Sequence, residues 1–98
     1  MISEADLLQR TIDLAKLTGW RVHHARPART AKGWRTPTQG HVGLPDLILA
    51  RGGVVIMAEL KGPRGKVTPE QREWLDACGD HGRLWRPEHW SEIVEELG

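Results

Sequence analysis

Cysteine is almost absent from this 98-residue chain, and long apolar runs are missing altogether. The single cysteine, Cys78, allows no internal disulfide and seeds no zinc-ligand spacing, so a reducing cytoplasm is the simplest setting. No run is long enough to cross a membrane, and no charged-then-apolar leader is expected at the start. Neither a repeat, a low-complexity stretch nor a linker divides the sequence. Residues 1–98 are therefore expected to form one complete domain, near the lower end of what folds on a single core.

Acidic residues are missing from Leu14 to Pro45, where Lys16, Arg21, Arg26, Arg29, Lys32 and Arg35 are basic and His23, His24 and His41 add to them. The last eleven residues are the reverse, with Glu88, Glu92, Glu95 and Glu96 against no Lys or Arg. Net charge is only +1, so this asymmetry suggests a face for a polyanion without requiring one. A solvated basic loop is the plainer reading. Patterns for a Ser-His-Asp or Cys-His nucleophile, a P-loop or a dinucleotide fold are also lacking.

What is present reads as alternating elements. Ser3 followed by Asp6 is a capping-box-like start, Ala5, Leu8, Ile12 and Ala15 recur at helical spacing, and Gly19 closes that helix. "GWRVHHA" alternates as a strand does, and its adjacent histidines face opposite ways, which argues against a shared metal. Arg26 to Gly43 has no period of either kind and is expected to be a long loop. "DLILA" and "VVIMAEL", joined by "RGG", predict a hairpin apolar on both faces and so covered on both sides. Thr68-Pro69-Glu70-Gln71 is a strong helix start, with Gln71, Trp74, Leu75 and Cys78 on one face. "RLWR" predicts a short strand, and Pro87 to Leu97 a last amphipathic helix. The order is helix, three strands, helix, strand, helix, an α/β sandwich with a mixed sheet.

The hairpin carries charges where a core asks for none. An aspartate, Asp46, opens the first strand, and Glu59 and Lys61 end the second on the face of Val55 and Met57. Two bare carboxylates ~4 Å apart repel by about 4 kcal/mol at an effective dielectric of 20, so they share a proton or bind a cation. Oxygen ligands suit Mg²⁺, which acidifies a coordinated water, and Lys61 can orient that water or steady the charge developing on a phosphodiester. The plainer alternative is a structural ion pair.

Gly43-Leu44-Pro45-Asp46, an apolar strand, a turn, a second strand and Glu59-Leu60-Lys61 resemble the signature of the PD-(D/E)xK nuclease superfamily, and more closely that of the VRR-NUC (virus-type replication-repair nuclease) family. Glu4 on the first helix, Gly43 before the Pro-Asp, and "KGPRGKVTPEQREWLD" with Gly65 and Gln71 extend the match over nearly the whole chain. The resemblance implies a restriction-endonuclease-like αβββαβ core, its mixed central sheet flanked by helices, with a C-terminal helix added. It implies that Asp46, Glu59 and the Leu60 backbone carbonyl hold Mg²⁺ or Mn²⁺, that Lys61 is the catalytic lysine, and that Glu4 and Gln71 contribute from the two helices. Glu4 in a first turn also suits the helix dipole, and Gln71 also suits a capping bond to Thr68.

Arg26, Arg29, Lys32 and Arg35 are candidate phosphate contacts, with Trp34 among them as a candidate base-stacking platform. Arg64, Lys66 and His41 flank the hairpin charges and join the same DNA-binding set. The resemblance implies a metal-dependent, structure-specific DNA endonuclease of the Holliday-junction-resolvase type acting as a homodimer, and the expected setting is the cytoplasm of a bacterium or of a phage-infected cell. The alternatives are a DNA-binding module of the same fold that does little cutting, and a small interaction protein with a structural ion pair.

Overall fold

The computed structural model describes residues 2–24 and 39–98, together with the backbone of two short strands at 28–30 and 33–35. The first helix, α1 (Glu4–Leu17), starts where the Ser3 hydroxyl accepts the Asp6 N–H at 3.1 Å, as its sequence predicts. Its buried face differs from the expected stripe. Leu7, Thr11 and Ala15 are in the core, Leu8 and Ile12 are half-buried, and Ala5 is exposed. Thr11 can sit there because its hydroxyl donates to the Leu7 carbonyl at 2.8 Å, leaving no unmet polar group.

β1 (Arg21–His24) is followed by two three-residue strands, β2 (Ala28–Thr30) and β3 (Gly33–Arg35), paired antiparallel in a ribbon of their own. The segment expected to be loop thus contains a small hairpin. β4 (Leu47–Arg51) and β5 (Val54–Leu60) form the predicted main hairpin. Gly52 and Gly53 turn it with φ of +58° and +84°, the pair of positive angles that a two-residue hairpin turn needs. After β5 the chain crosses through α2 (Pro69–Cys78) and returns as β6 (Gly82–Trp85), parallel to β5. The main sheet has the order β1-β4-β5-β6, antiparallel except for that last pair. α3 (Trp90–Leu97) closes the described chain after a 3₁₀ turn at Pro87–His89.

One face of the sheet is the core. Leu47, Leu49, Ile56, Ala58 and Leu60 pack with Leu7 and Ala15 of α1 and Ile93 and Leu97 of α3. Arg51 ties this side together, donating to the carbonyls of Thr18 and Leu97 at 2.8 and 3.2 Å and lying 4.5 Å over the Trp20 ring. The second face is only partly covered. The ten-residue α2 packs over β5 and β6, while Ile48 and Ala50 stay half-buried and Val55 is 40% exposed. The expectation that both strands are covered on each side therefore fails for β4 and for the turn end of β5. Among the described residues one short helix, α2, packs there, too little to span the face.

Candidate active site

The polar residues of the hairpin meet on that second face, at the end that α2 covers. Leu47 pairs with Ala58, so Asp46, one step before β4, lies across from Glu59. Its Oδ2 accepts the Leu60 N–H at 2.9 Å, which fixes the carboxylate against the end of β5. Pro45 just before it is buried and holds the turn into the strand.

Glu59 is 2% exposed, on a strand otherwise filled with aliphatic side chains. Its Oε2 lies 3.5 Å from the Lys61 ammonium and 3.4 Å from the Gln71 amide nitrogen. Its Oε1 is buried and has no hydrogen-bond partner among the described residues. Burial, and then the Asp46 carboxylate beside it, push the Glu59 carboxyl from an ordinary 4.5 up to about 8, with Lys61 opposing only part of the rise. At neutral pH and without another cation, this carboxyl holds a proton.

Lys61 follows Leu60 at the point where β5 ends, and its N–H donates to the Trp85 carbonyl at 3.0 Å, carrying the ladder to β6 one residue further. Its side chain is 13% exposed, so the stem lies along protein while the ammonium faces Glu59. Gly65 backs that stem. A Cβ there would stand 3.3 Å from the Lys61 Cδ and 3.4 Å from its Cβ.

α2 contributes through its first turn. The Thr68 hydroxyl accepts the Gln71 N–H at 3.1 Å, and Gln71 Oε1 accepts the Thr68 N–H at 2.9 Å, a complete capping box. The Gln71 amide nitrogen is left to point at Glu59. The loop before Asp46 is pressed on this turn. Gly43 has φ +95°, and a Cβ there would sit 2.7 Å from the Glu70 carbonyl carbon and 2.9 Å from the Gln71 nitrogen. Trp74 secures the same loop, its indole N–H donating to the carbonyls of His41 and Val42 at 3.3 and 3.0 Å.

Asp46, Glu59, Lys61 and Gln71 are thus brought together. Glu4 comes to the neighbouring turn, where its Oε1 accepts the Gly62 N–H at 3.3 Å. No group of three or more His, Cys, Asp or Glu side chains placed to hold a metal occurs among the described residues. His41, Arg64 and Lys66 are exposed around the site. Side chains of Arg26, Arg29, Lys32, Trp34 and Arg35 lie outside the described residues. Two contributors escape the sequence reading. Trp74 looks like one more core indole in its helix pattern, and Arg86, which donates to the carbonyls of Gly62 and Gly65 at 2.9 and 2.8 Å, carries no local pattern at all.

A mixed sheet flanked by helices, with a carboxylate pair and a lysine at the open end of its central hairpin, is the architecture of a nuclease-type domain. The VRR-NUC domain profile matches residues 7–85, and the chain belongs to that family. No curated protein matches the sequence significantly. No helix among the described residues is long and apolar enough to cross a membrane.

Proposed function

We propose that this domain is a divalent-metal-dependent endonuclease that hydrolyses phosphodiester bonds in branched DNA, including Holliday junctions. The observation that carries the reading is the buried Glu59 carboxyl, whose Oε1 has no hydrogen-bond partner among the described residues, set beside a second carboxylate. Without a cation the pair is accommodated by a proton on Glu59; a cation held by Glu59 and Asp46 would displace that proton and give the buried oxygen a partner. Two carboxylates, with the Leu60 carbonyl, match the habit of Mg²⁺, which keeps its other positions for waters and phosphate oxygens. Mn²⁺ fits the same donors.

When bound, such an ion supplies an acidified water and offsets charge on the reacting phosphate. The chain's own groups do the rest. Gln71 fixes the Glu59 carboxylate by donating to Oε2, so Oε1 keeps one direction. Lys61 brings a fixed ammonium to within 3.5 Å of that carboxylate, ready to orient the attacking water or steady developing charge. Glu4 serves as an outer acid from α1, reaching the site through water while Gly62 holds one of its oxygens. Exposed Arg64, Lys66 and His41 would serve as phosphate contacts, and Arg26, Arg29, Lys32, Trp34 and Arg35, whose side chains lie outside the described residues, would add contacts of the same kind.

Nicking both strands of a junction requires two sites, so the proposal includes a homodimer. The test is a panel of labelled junction, flap and linear duplex incubated with Mg²⁺, Mn²⁺ or EDTA, wild type beside Glu59→Ala, with light scattering for the dimer. Nicking by wild type with metal and none by the variant is expected. Binding of these DNAs without nicking under either metal returns the domain to the class of binding modules.

A further inference from the structure

The turn that follows Lys61 is gripped from two sides by charged residues. Gly62 to Gly65 closes with the Gly65 N–H donating to the Gly62 carbonyl at 3.3 Å. Glu4 takes the Gly62 N–H, and a single nitrogen of Arg86, Nη1, donates to the carbonyls of both Gly62 and Gly65 at 2.9 and 2.8 Å. Arg86 stands directly after Trp85, the residue whose carbonyl accepts the Lys61 N–H. Its side chain is half-buried and crosses from the end of β6 to the turn. Both Glu4 and Arg86 lie outside the stretch that the family profile matches.

Holding this turn holds Lys61. Its four-carbon stem is flexible by nature, and an unsupported ammonium swings into water. Here the stem lies against Gly65, whose Cα comes so near that an added Cβ would touch the Lys61 Cβ and Cδ. Were the turn to open, that wall would withdraw and the ammonium would lose its station near Glu59 Oε2. Bonds from a charged donor to two carbonyls are among the stronger ones available to fix a four-residue turn.

We propose that Arg86 is a positioning residue for Lys61, acting through the carbonyls of Gly62 and Gly65. It does not touch substrate. The inference rests on the nuclease reading for its consequence, though not for its geometry. Because one nitrogen serves both carbonyls, a lysine ammonium with three donors can replace the guanidinium, whereas a methionine of similar reach cannot.

The experiment compares wild type, Arg86→Lys and Arg86→Met in metal-dependent nicking, with calorimetric Mg²⁺ titration and amide hydrogen exchange on the metal-free protein. Arg86→Met is expected to lower kcat by about 10–100-fold, as a misplacement near 1 Å does, with KM for DNA and Mg²⁺ affinity unchanged. Arg86→Lys is expected to return most of the lost kcat. In Arg86→Met, exchange at the Gly65 amide should quicken by at least about tenfold while amides of α1 and α3 keep wild-type rates. Wild-type kcat in Arg86→Met, no recovery in Arg86→Lys, or a matching loss of metal and DNA affinity overturns the proposal. If wild type itself never nicks, the nuclease reading fails, and exchange at Gly65 alone decides whether Arg86 holds the turn.

Discussion

Gln71 donates from its amide nitrogen to Glu59 Oε2 across 3.4 Å while its amide oxygen accepts the Thr68 N–H at 2.9 Å. The helix cap and the site therefore share one side chain, and the two sequence readings of this residue describe its two ends. Gln71→Glu keeps the capping geometry, since either residue completes the box, but sets a carboxylate against Glu59. Thermal stability should stay near wild type. The pH at which nicking is half-maximal should move upward, because the added charge makes Glu59 harder to ionise. A pH–rate profile beside a melting curve checks both.

The hairpin and its charges were legible because the signal is local. Two apolar runs, a Gly-Gly turn and polar residues at the ends lie within one continuous stretch, and register then places Asp46 across from Glu59. The caps of α1 and α2 are likewise written in four residues each. What escaped depends on distant partners. Thr11 reads as polar until its bond to the Leu7 carbonyl is known, so the apolar spacing of α1 points to Leu8 and Ile12 where the core takes Leu7 and Thr11. Arg86 meets Gly62 across 24 residues of sequence, and Trp74 meets Val42 across 32, and neither contact leaves a periodic trace. The three-residue strands β2 and β3 are too short to show alternation.

On the proposed metal-dependent reading, Glu59 links stability and metal binding through pH. Its folded value of about 8 lies above the ordinary 4.5, so the folded state keeps a proton that the unfolded chain has lost between those values. The metal-free protein should lose stability as pH rises through this window, by at most about 1.4 kcal/mol per pH unit, and regain it as pH falls. Metal affinity should run the other way, rising with pH until Glu59 is ionised. Calorimetry in buffers of different ionisation heat should find about one proton released per ion near pH 7 and fewer above pH 8. Denaturation in EDTA at several pH values checks the first half. Glu59→Gln should flatten both dependences.

Gly43 couples the loop before Asp46 to the helix that carries Gln71. An alanine there faces a positive φ and a Cβ placed 2.7 Å from backbone, which a side chain's motion cannot relieve. Gly43→Ala should cost roughly 2–5 kcal/mol from the combined backbone strain and overpacking. For a domain of this size that lowers Tm by about 10 °C or more. Gly40→Ala serves as control, since its added Cβ meets nothing within 4 Å among the described residues although its φ is also positive. Urea titration of the two variants separates the clash from the strain.

Asp46 accepts the Leu60 N–H and also raises the pKa of Glu59, so its two substitutions should part company. Asp46→Asn retains an oxygen for the Leu60 N–H, and stability should remain close to wild type. Removing the charge lets Glu59 ionise at lower pH, yet the site has lost one of its two carboxylates. Nicking should fall by about 10²–10³-fold or more, while DNA affinity holds or rises as repulsion from phosphate is relieved. Asp46→Ala in addition strands the Leu60 N–H at the end of β5, which should cost about 1–3 kcal/mol. A structural ion pair predicts otherwise: loss of stability in both variants and no metal-dependent nicking to lose. Fluorescence anisotropy on junction DNA, a nicking assay and urea titration of both proteins decide between the two.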